Sequence, residues 1–517
     1  MENYGILSLV PPALSIFLAV FTRNVILALV AGTFVGSLII TDYNPFFAVV
    51  NLMEEHLFSQ LSSSSNNQIL VVMLCIGGFV QLIERSGGAS AFSTIIVKYI
   101  SDPKRGQLAA WAAGLSIFFT DSGNALIVGP LFRPIFKKLN ICKEKLAYII
   151  DTTASPVSIL VPFIAWGVYI MSLIGNAYAE LGLTEQPYEV LLSVWPYQFY
   201  AILSLLAIPM LLSTGKDIGP MAAAQAKYNH AMDNHLLDEQ NEDSIAEDEL
   251  INTNSTLATF IVPLAVMLIS LTIFIAYFAY TEGVRSIHVN SGICLSYIFA
   301  SLSCAYMMRK QSNTPYQKSL NHFIRGMEKL VSVCLILVLA WSLSSICKEL
   351  DTGLYLASLI GDSISPSLFP ALVFIMGALI SFATGSSYGT FAILMISVVP
   401  VAHSLDASLT LTIAAVLSGG LFGDHTSPIS DTTVVASMGA DCKHIDHVST
   451  QFYYASFVGS MTFIAFIIAG FYQSSLVILV MILLQFLLIT VVMKRFGQHN
   501  VIAKTNTVDM TLNSQKV

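Results

Sequence analysis

Charged side chains are scarce in this chain, since they make up 11% of its 517 residues. Soluble domains carry roughly a quarter. Hydrophobic residues account for 55% of the sequence. Apolar runs long enough to cross a hydrocarbon layer of about 30 Å as helices recur from one end of the chain to the other. The composition excludes a soluble globular protein and predicts an all-α polytopic membrane protein.

Several recognisable signatures are also missing. The sequence has no P-loop, no GxGxxG and no HExxH, and no basic patch alternates with aromatic residues. The seven cysteines are odd in number and form no CxxC pair, which argues against both a disulfide framework and a zinc site. We therefore expect neither an enzyme nor a nucleic-acid-binding protein, with no cofactor and no transition-metal site.

The apolar runs predict about eleven full-length transmembrane helices. One acidic segment interrupts them: residues 214–254 hold nine acids and two lysines, which explains most of the formal net charge of −8. We expect this segment to be a solvated cytoplasmic linker. The predicted spans lie at about 6–22, 25–41, 69–84, 146–175, 190–213, 255–279, 288–308, 330–347, 410–437, 452–473 and 475–494.

Two further apolar stretches, 108–132 and 372–399, have polar, glycine-containing centres, TDSGN and TGSSYG. Lysine and arginine flank the first stretch on both sides, whereas the segments beside the second contain none. Because basic residues collect on the cytoplasmic side, each stretch begins and ends on one face. Arms of about 12 residues reach about 18 Å, roughly the middle of the membrane. The pattern predicts two re-entrant hairpins that enter from opposite faces.

An amino terminus outside and a carboxyl terminus in the cytoplasm place 22 of the 24 basic residues inside. Each half then has three spans, a hairpin and two spans in opposite orientation, an inverted structural repeat. The alternative to a repeat is that the two halves resemble each other by chance, because both consist of hydrophobic segments. The predicted organisation is a first repeat, 1–213, with its hairpin at 108–132 and broken helix at 146–175; the linker 214–254; a second repeat, 255–473, with its hairpin at 372–399 and broken helix at 410–437; and a last helix and tail, 474–517.

Proline and acidic residues coincide in the span that follows each hairpin, in DTTASPVS at 151–158 and in DHTSPIS and DTT at 424–433. Proline removes a backbone donor, so we expect both helices to break and expose carbonyls. A charge within a span costs several kcal/mol unless it is compensated, which favours an ion path over simple kinks in packed helices. Carboxylate, hydroxyl and carbonyl oxygens suit Na⁺ or a proton. The predicted cation- and proton-binding residues are Asp121, Ser122, Asn124, Asp151, Thr152, Thr153, Ser155, Ser386, Ser387, Asp424, His425, Ser427, Asp431 and Thr432, with helix breaks at Pro156 and Pro428.

Histidines accompany the second of these motifs. His425 lies beside Asp424, where its imidazole either titrates near neutral pH or serves as a neutral hydrogen-bonding partner. His444, Asp446 and His447 have a spacing that suggests a metal cluster. We favour helix capping or a cytoplasmic gate for these three, because HxxH with a single acid is a weak metal signature.

The segment GGLFGDHTSPISDTTVVASMGADCKHIDHVSTQ at 419–451 resembles the signature of the NhaC family of bacterial Na⁺/H⁺ antiporters. The PP pair at 11–12, the tip FTDSGNALIVGP and the DTTASP motif are also similar to that family. The resemblance implies an ion-transporter fold with paired hairpins and broken helices, Na⁺ and H⁺ as the transported ions, and a bacterial inner membrane.

The resulting hypothesis is a secondary transporter that exchanges Na⁺ for H⁺ by competition at buried aspartates. The alternative is a Na⁺- or H⁺-coupled carrier of organic acids of the malate or lactate type, or of amino acids. A channel is disfavoured by the inverted repeat. The expected partners of this protein are Na⁺, H⁺ and the lipid bilayer. The sequence leaves open the oligomeric state, a homodimer included, and the stoichiometry, Li⁺ or K⁺ selectivity, pH set point and direction of transport.

Overall fold

Helices make up almost all of the structure. The computed structural model describes residues 4–88, 91, 100, 102–233, 255–360 and 365–499. In the first half the α-helices are Val10–Thr22, Val25–Ile40, Pro45–Asn51, Ser59–Ser62, Ser64–Arg85, Pro103–Ser116, Asp121–Lys138, Lys143–Ser158, Ala165–Glu180, Pro187–Val194, Phe199–Thr214 and Gly219–Asp233. In the second half they are Leu257–Thr281, Ser286–Ser312, Tyr316–Glu349, Thr352–Ile360, Phe369–Thr384, Ser387–Ser404, Leu409–Thr426, Asp431–Ala440, His444–Tyr472 and Val477–Phe496.

Short elements complete the described part of the chain. Gly5–Leu9 and Trp195–Tyr197 are 3₁₀ helices, and Leu52–Phe58 is a π-helical segment. Two-residue strands, Lys216–Asp217 and Gln498–His499, pair antiparallel with Lys216 opposite His499. This pairing holds the end of the last helix against the segment that follows the first half.

Within the described residues, eight helices are long and apolar enough to cross a membrane. Counting two bent pairs as spans, 25–62 with a bend of 113° and 187–214 with a bend of 45°, raises the number to ten. The predicted spans 146–175 and 410–437 are absent from this count because each is interrupted. The count includes Ser387–Ser404, which was predicted as the second arm of a hairpin. Peripheral helices such as Leu257–Thr281 bury only 28% of their most apolar window, which is typical of a surface that faces hydrocarbon. The predicted all-α polytopic membrane fold is confirmed.

Both predicted hairpins are helix–turn–helix units. The first turns at 117–120, between Pro103–Ser116 and Asp121–Lys138. The second turns at Gly385, whose φ of +65° favours glycine. A Cβ at this glycine would also lie 2.7 Å from the backbone oxygen of Ile429, so the turn packs directly on the second helix break.

Both predicted broken helices are interrupted, but only the second breaks at its predicted proline. The second breaks at 427–430, around Pro428 as predicted. The first helix continues through Pro156 and ends at Ser158, so the prediction that it breaks at this proline is wrong by a few residues. Proline at this position removes only the N–H that would pair with the carbonyl of Thr152, and the helix tolerates the loss for one more turn.

Three stretches that form helices were not predicted as such, and the shortest of them is Thr352–Ile360. Residues 45–62 form a helix with a central π-helical segment, bent sharply away from Val25–Ile40. Gly219–Asp233 forms a helix in the first part of the predicted linker. The rest of that linker, 234–254, and the tail 500–517 lie outside the described residues.

The broken helices occupy the centre of the molecule. Every side chain from Lys145 through Ser158 is buried. The first hairpin packs against the far arm of the second broken helix at a glycine contact, where a Cβ on Gly129 would lie 2.1 Å from the backbone oxygen of Gly439. Small residues let helix backbones approach closely within a membrane. The two halves of the chain therefore share one central interface.

Candidate functional site

Asp151 is the centre of a buried polar cluster in which both broken helices meet. Its side chain is 1% exposed. Its Oδ2 accepts hydrogen bonds from Thr433 Oγ1 at 3.0 Å and from Gln451 Nε2 at 2.6 Å. The Nε2 atoms of His425 and His447 lie 4.0 and 3.9 Å from the same oxygen. Oδ1 has no hydrogen-bond partner within the described part of the chain. A buried carboxyl group of this kind is compensated by a proton or a cation.

His425 connects three elements around this carboxyl group. Its Nδ1 lies 2.7 Å from the hydroxyl of Tyr200, and its Nε2 lies 3.3 Å from Thr152 Oγ1. Its backbone carbonyl accepts a hydrogen bond from Gln451 Nε2 at 2.6 Å. The contact with Thr152 joins the two broken helices directly. These contacts suit both a neutral imidazole and one that titrates, so both interpretations of His425 stand.

Asp424 is the second acid of the cluster and is 4% exposed. The side chains of Ser387 and Ser430 lie near its carboxyl group, and the charges of Asp121 and Asp151 act on it. Like charges that are buried within reach of one another disfavour full ionisation. The cluster is therefore stabilised when it takes up positive charge, whether a proton or a metal cation.

Trp166 links the tips of the two hairpins. Its Nε1 donates a hydrogen bond of 3.2 Å to Asp121 Oδ2, and its ring lies 4.6 Å from the ring of Tyr388 between centroids. The hydroxyl of Tyr169 donates to the backbone carbonyl of Tyr388 at 2.6 Å. The first tip and the second tip therefore face one region, and the start of Ala165–Glu180 lies between them.

The first hairpin is fixed to the first broken helix by Asn124. Its Nδ2 donates to the backbone oxygens of Gly114, at 3.1 Å, and of Thr153, at 2.9 Å. Asn124 Oδ1 and Ser155 Oγ have no partner among the described groups. Together with Asp151 Oδ1, these oxygens are buried hard donors on the first hairpin and the first broken helix. Such donors prefer hard cations.

The other predicted site residues lie apart from this cluster or have structural hydrogen bonds. Asp431 is exposed at the start of Asp431–Ala440, so its carboxyl group does not join the buried acids. The side chain of Ser122 lies outside the described residues. Hydroxyl groups with structural hydrogen bonds are those of Thr153, which donates to the carbonyl of Ile149; Ser427, which donates to Phe382; Thr432, which pairs with Ser430; and Ser386, which caps Ser387–Ser404.

His444 and His447 flank the cluster at the start of His444–Tyr472, the helix that comes after Asp431–Ala440. Both Nδ1 atoms contact Ser437 Oγ, at 3.1 and 2.8 Å, and His444 Nε2 lies 2.7 Å from the carbonyl of Pro428. In the described part of the chain no group of three or more His, Cys, Asp or Glu could hold a metal ion. The imidazoles fix the second break to the helix His444–Tyr472.

Sequence reasoning missed several of the most closely placed side chains. Gln451, Tyr200 and Trp166 contact the predicted acids or histidines but were not predicted to belong to the site. Gln451 ends the segment HVSTQ, inside the motif that resembles the NhaC signature, and that position was the available signal. Tyr200 and Trp166 lie in ordinary apolar stretches that carry no comparable pattern.

Paired hairpins, broken helices and a buried acidic centre define a secondary transporter of the polytopic membrane class. A model described as the Na⁺/H⁺ antiporter family matches residues 157–471, and the chain belongs to that family. The resemblance seen in the sequence is confirmed.

The chain is also similar to individual proteins. An uncharacterized protein of Haemophilus influenzae is 31% identical over 492 residues, covering 91% of this chain and 92% of the relative. The malate-2H⁺/Na⁺-lactate antiporter of Bacillus subtilis is 30% identical over 177 residues, covering 34% of this chain and 37% of that protein. The structure of MtrF from Neisseria gonorrhoeae, of a class of antimetabolite efflux pumps, superposes with a TM-score of 0.55 over 82% of this chain and 84% of that one. At 15% identity this last likeness shows the fold alone.

Proposed function

We propose that the protein exchanges Na⁺ for H⁺ across a bacterial inner membrane, by competition of the two cations for the buried carboxyl groups of Asp151 and Asp424. The observation that carries the proposal is the environment of Asp151. Two donors hold Oδ2, whereas Oδ1 has no described hydrogen-bond partner and the side chain is 1% exposed. Such a group binds either a proton or a cation, and each excludes the other.

The two ions are exchanged because the site cannot cross the membrane barrier when it is empty. A doubly charged pair of acids in a low-dielectric interior is costly to move past a hydrophobic barrier. Binding of Na⁺ or protonation removes that cost, so only the loaded site crosses. Each hairpin and its broken helix move as one unit against the peripheral helices. We propose that 1–213 and 255–473 are inverted repeats, with the amino terminus outside and the carboxyl terminus in the cytoplasm.

A carrier of organic acids is the second candidate, because the chain is similar to a malate/lactate antiporter over 177 residues. A carboxylate substrate would require positive charge. The two hairpins, 108–132 and 372–399, and the two broken helices, 146–175 and 410–437, contain no lysine or arginine. The helix that begins at Ser387 offers only its amino-terminal dipole for such a group. The residues therefore favour a cation.

A flux assay with purified protein separates the two functions. The protein is reconstituted in liposomes that contain a pH-sensitive dye, with the membrane potential clamped, and a Na⁺ gradient is applied without any organic solute. Proton movement that depends on Na⁺ supports the antiporter. Movement only after malate, lactate or an amino acid is added contradicts it and supports the carrier.

A further inference from the structure

A polar cavity lies away from the acidic centre, between the helices Ser64–Arg85, Ala165–Glu180, Ser286–Ser312 and Tyr316–Glu349. Its volume is about 430 Å³. This value falls within the range of about 300–1,000 Å³ that is usual for pockets that bind small molecules. The side chains that give the cavity its chemistry are Asn66, Asn176, Glu180, Asn290, Ser345 and Lys348.

Glu180 and Lys348 give this cavity one charge of each sign. The charge of the lysine acts on the carboxyl group, and Ser344 lies near it. No ion pair joins Glu180 to Lys348 among the contacts of the described residues, although both line the cavity. Opposite charges separated by a polar space can both be satisfied by one ligand that carries an ammonium and a carboxylate group.

Three asparagine side chains add donors and acceptors to the wall. Asn66 Nδ2 is already bonded to the backbone and side-chain oxygens of Gln60, both at 3.1 Å. Asn176 and Asn290 line the same space from helices on either side of it. The apolar part of the wall includes Ile69, Met171 and Val289, which suits a small aliphatic side chain.

We propose that this cavity binds a small zwitterionic solute of the amino-acid class, with its carboxylate towards Lys348 and its ammonium towards Glu180. The site is distinct from the acidic centre, and its binding of ligand does not depend on the proposed exchange of Na⁺ for H⁺. Under the proposed topology, which places Lys348 outside, the cavity opens to the external face.

One helix connects the cavity to the acidic centre. The helix Ala165–Glu180 begins beside Trp166 and ends at Glu180. Trp166 donates a hydrogen bond to Asp121, and Glu180 lines the cavity. Ser172, in the cavity wall, accepts a hydrogen bond of 3.1 Å from Trp341 Nε1. A ligand that fills the cavity restrains this helix. The site is therefore placed to regulate movement of the first hairpin.

Isothermal titration of the purified full-length protein with each common amino acid tests the site. For the tightest-binding amino acid, the matched probes are the same molecule without its amino group and without its carboxyl group. We expect saturable binding of at least one amino acid and at least tenfold weaker binding of both probes. Absence of binding by every amino acid, or equal binding of a truncated probe, overturns the proposal.

Variants connect the binding to the cavity. Lys348→Met and Asn176→Ala should each weaken binding at least tenfold, and Glu180→Gln should do the same if it folds. Glu185→Gln, an exposed acid just beyond the helix, is the matched control and should bind as the wild type does. Asp151→Asn should keep amino-acid binding even if it loses ion exchange, so the two proposals fail independently. Unchanged affinity in Lys348→Met places the ligand elsewhere and contradicts the assignment.

Discussion

Thr433 Oγ1 donates a hydrogen bond of 3.0 Å to Asp151 Oδ2, across 282 positions of sequence. The donor belongs to the far arm of the second broken helix, and the acceptor belongs to the near arm of the first. Relative movement of the two broken helices must therefore lengthen or shorten this bond. Because a hydrogen bond to a carboxylate favours its charged form, such movement changes how tightly Asp151 holds a proton.

Substitution of the acids should separate the buried centre from its exposed neighbour. Asp151→Asn keeps the size of the side chain but loses its titration and its charge, so we expect Na⁺-dependent proton movement to fall below a tenth of the wild-type rate. Asp431→Asn, at an exposed carboxyl group, should keep more than half of it. Dye-reported proton flux in everted vesicles, corrected for protein amount, measures both. Equal loss in both variants would show that Asp431 also belongs to the site.

His425→Ala should lower the exchange rate or shift its pH dependence. The substitution removes the contacts with Tyr200 and with Thr152, and the latter joins the two broken helices. His403→Ala is the control, because this histidine is exposed near the end of Ser387–Ser404. The rate is measured between about pH 5 and pH 8, the range in which an unperturbed histidine changes its charge. If the exchange rate depends on pH as it does in the wild type, His425 only packs in the core and has no part in exchange.

Gly129→Ala should prevent close packing of the first hairpin on the second half. The new methyl group would meet the backbone oxygen of Gly439 at 2.1 Å, and a backbone cannot move aside as a side chain can. We expect a marked loss of folded protein by size-exclusion chromatography. Gly292→Ala is the control, since the nearest atoms to its methyl group all belong to side chains, the closest being the ring of Phe274 at 2.9 Å. Similar yields of folded protein for the two variants would show that the contact between Gly129 and Gly439 is not needed for folding.

Lys145 and Asp217 form a buried ion pair, 5% and 7% exposed, that joins the start of the first broken helix to the short sheet. Removing one partner leaves an uncompensated charge, so Lys145→Met should lower the free energy of unfolding by about 3–5 kcal/mol. The double variant Lys145→Met, Asp217→Leu should recover much of that loss. Thermal unfolding in detergent of the two single variants and the double variant measures the coupling. Additive losses would mean that the two side chains act independently.

Cysteine accessibility tests the proposed topology. Lys138, after the first hairpin, and Asp406, after the second, are both exposed. On a background without other cysteines, we expect a membrane-impermeant thiol reagent to label position 138 from the cytoplasmic side and position 406 from the external side. Labelling of both positions from one side would contradict the inverted repeat.

The sequence contains the local signals for hairpins and breaks, but not the signals for what those elements contact. A hydroxyl residue and nearby glycine mark each tip, and Thr120 and Ser386 cap the arms that follow. These local features made the hairpins predictable. Gln451 and Tyr200 reach Asp151 and His425 only through tertiary packing. Asp431 follows a break, and the direction of a helix after a break is set by its neighbours, so the exposure of Asp431 was not predictable.

The break in the first repeat also depends on tertiary contacts that the sequence does not show. Pro156 marks a weakened backbone in the sequence, yet the helix ends only after Ser158 because packing on every side holds it. In the second repeat, Pro428 lies within a turn whose Ser427 also bonds to Phe382. Proline therefore identified the correct helices, whereas the position of each break depended on contacts from other parts of the chain.

The central claim is that Na⁺ and H⁺ compete for one buried acidic site. The most direct test is the Na⁺ dependence of initial exchange rates in proteoliposomes with equal pH on both sides, measured at several values of that pH. In the acidic range, we expect the apparent Na⁺ constant to rise up to about tenfold for each unit fall in pH, with little change in the maximal rate, as one-proton competition requires. A maximal rate that falls with acidity while the apparent Na⁺ constant stays fixed would contradict competition and place the two ions at separate sites.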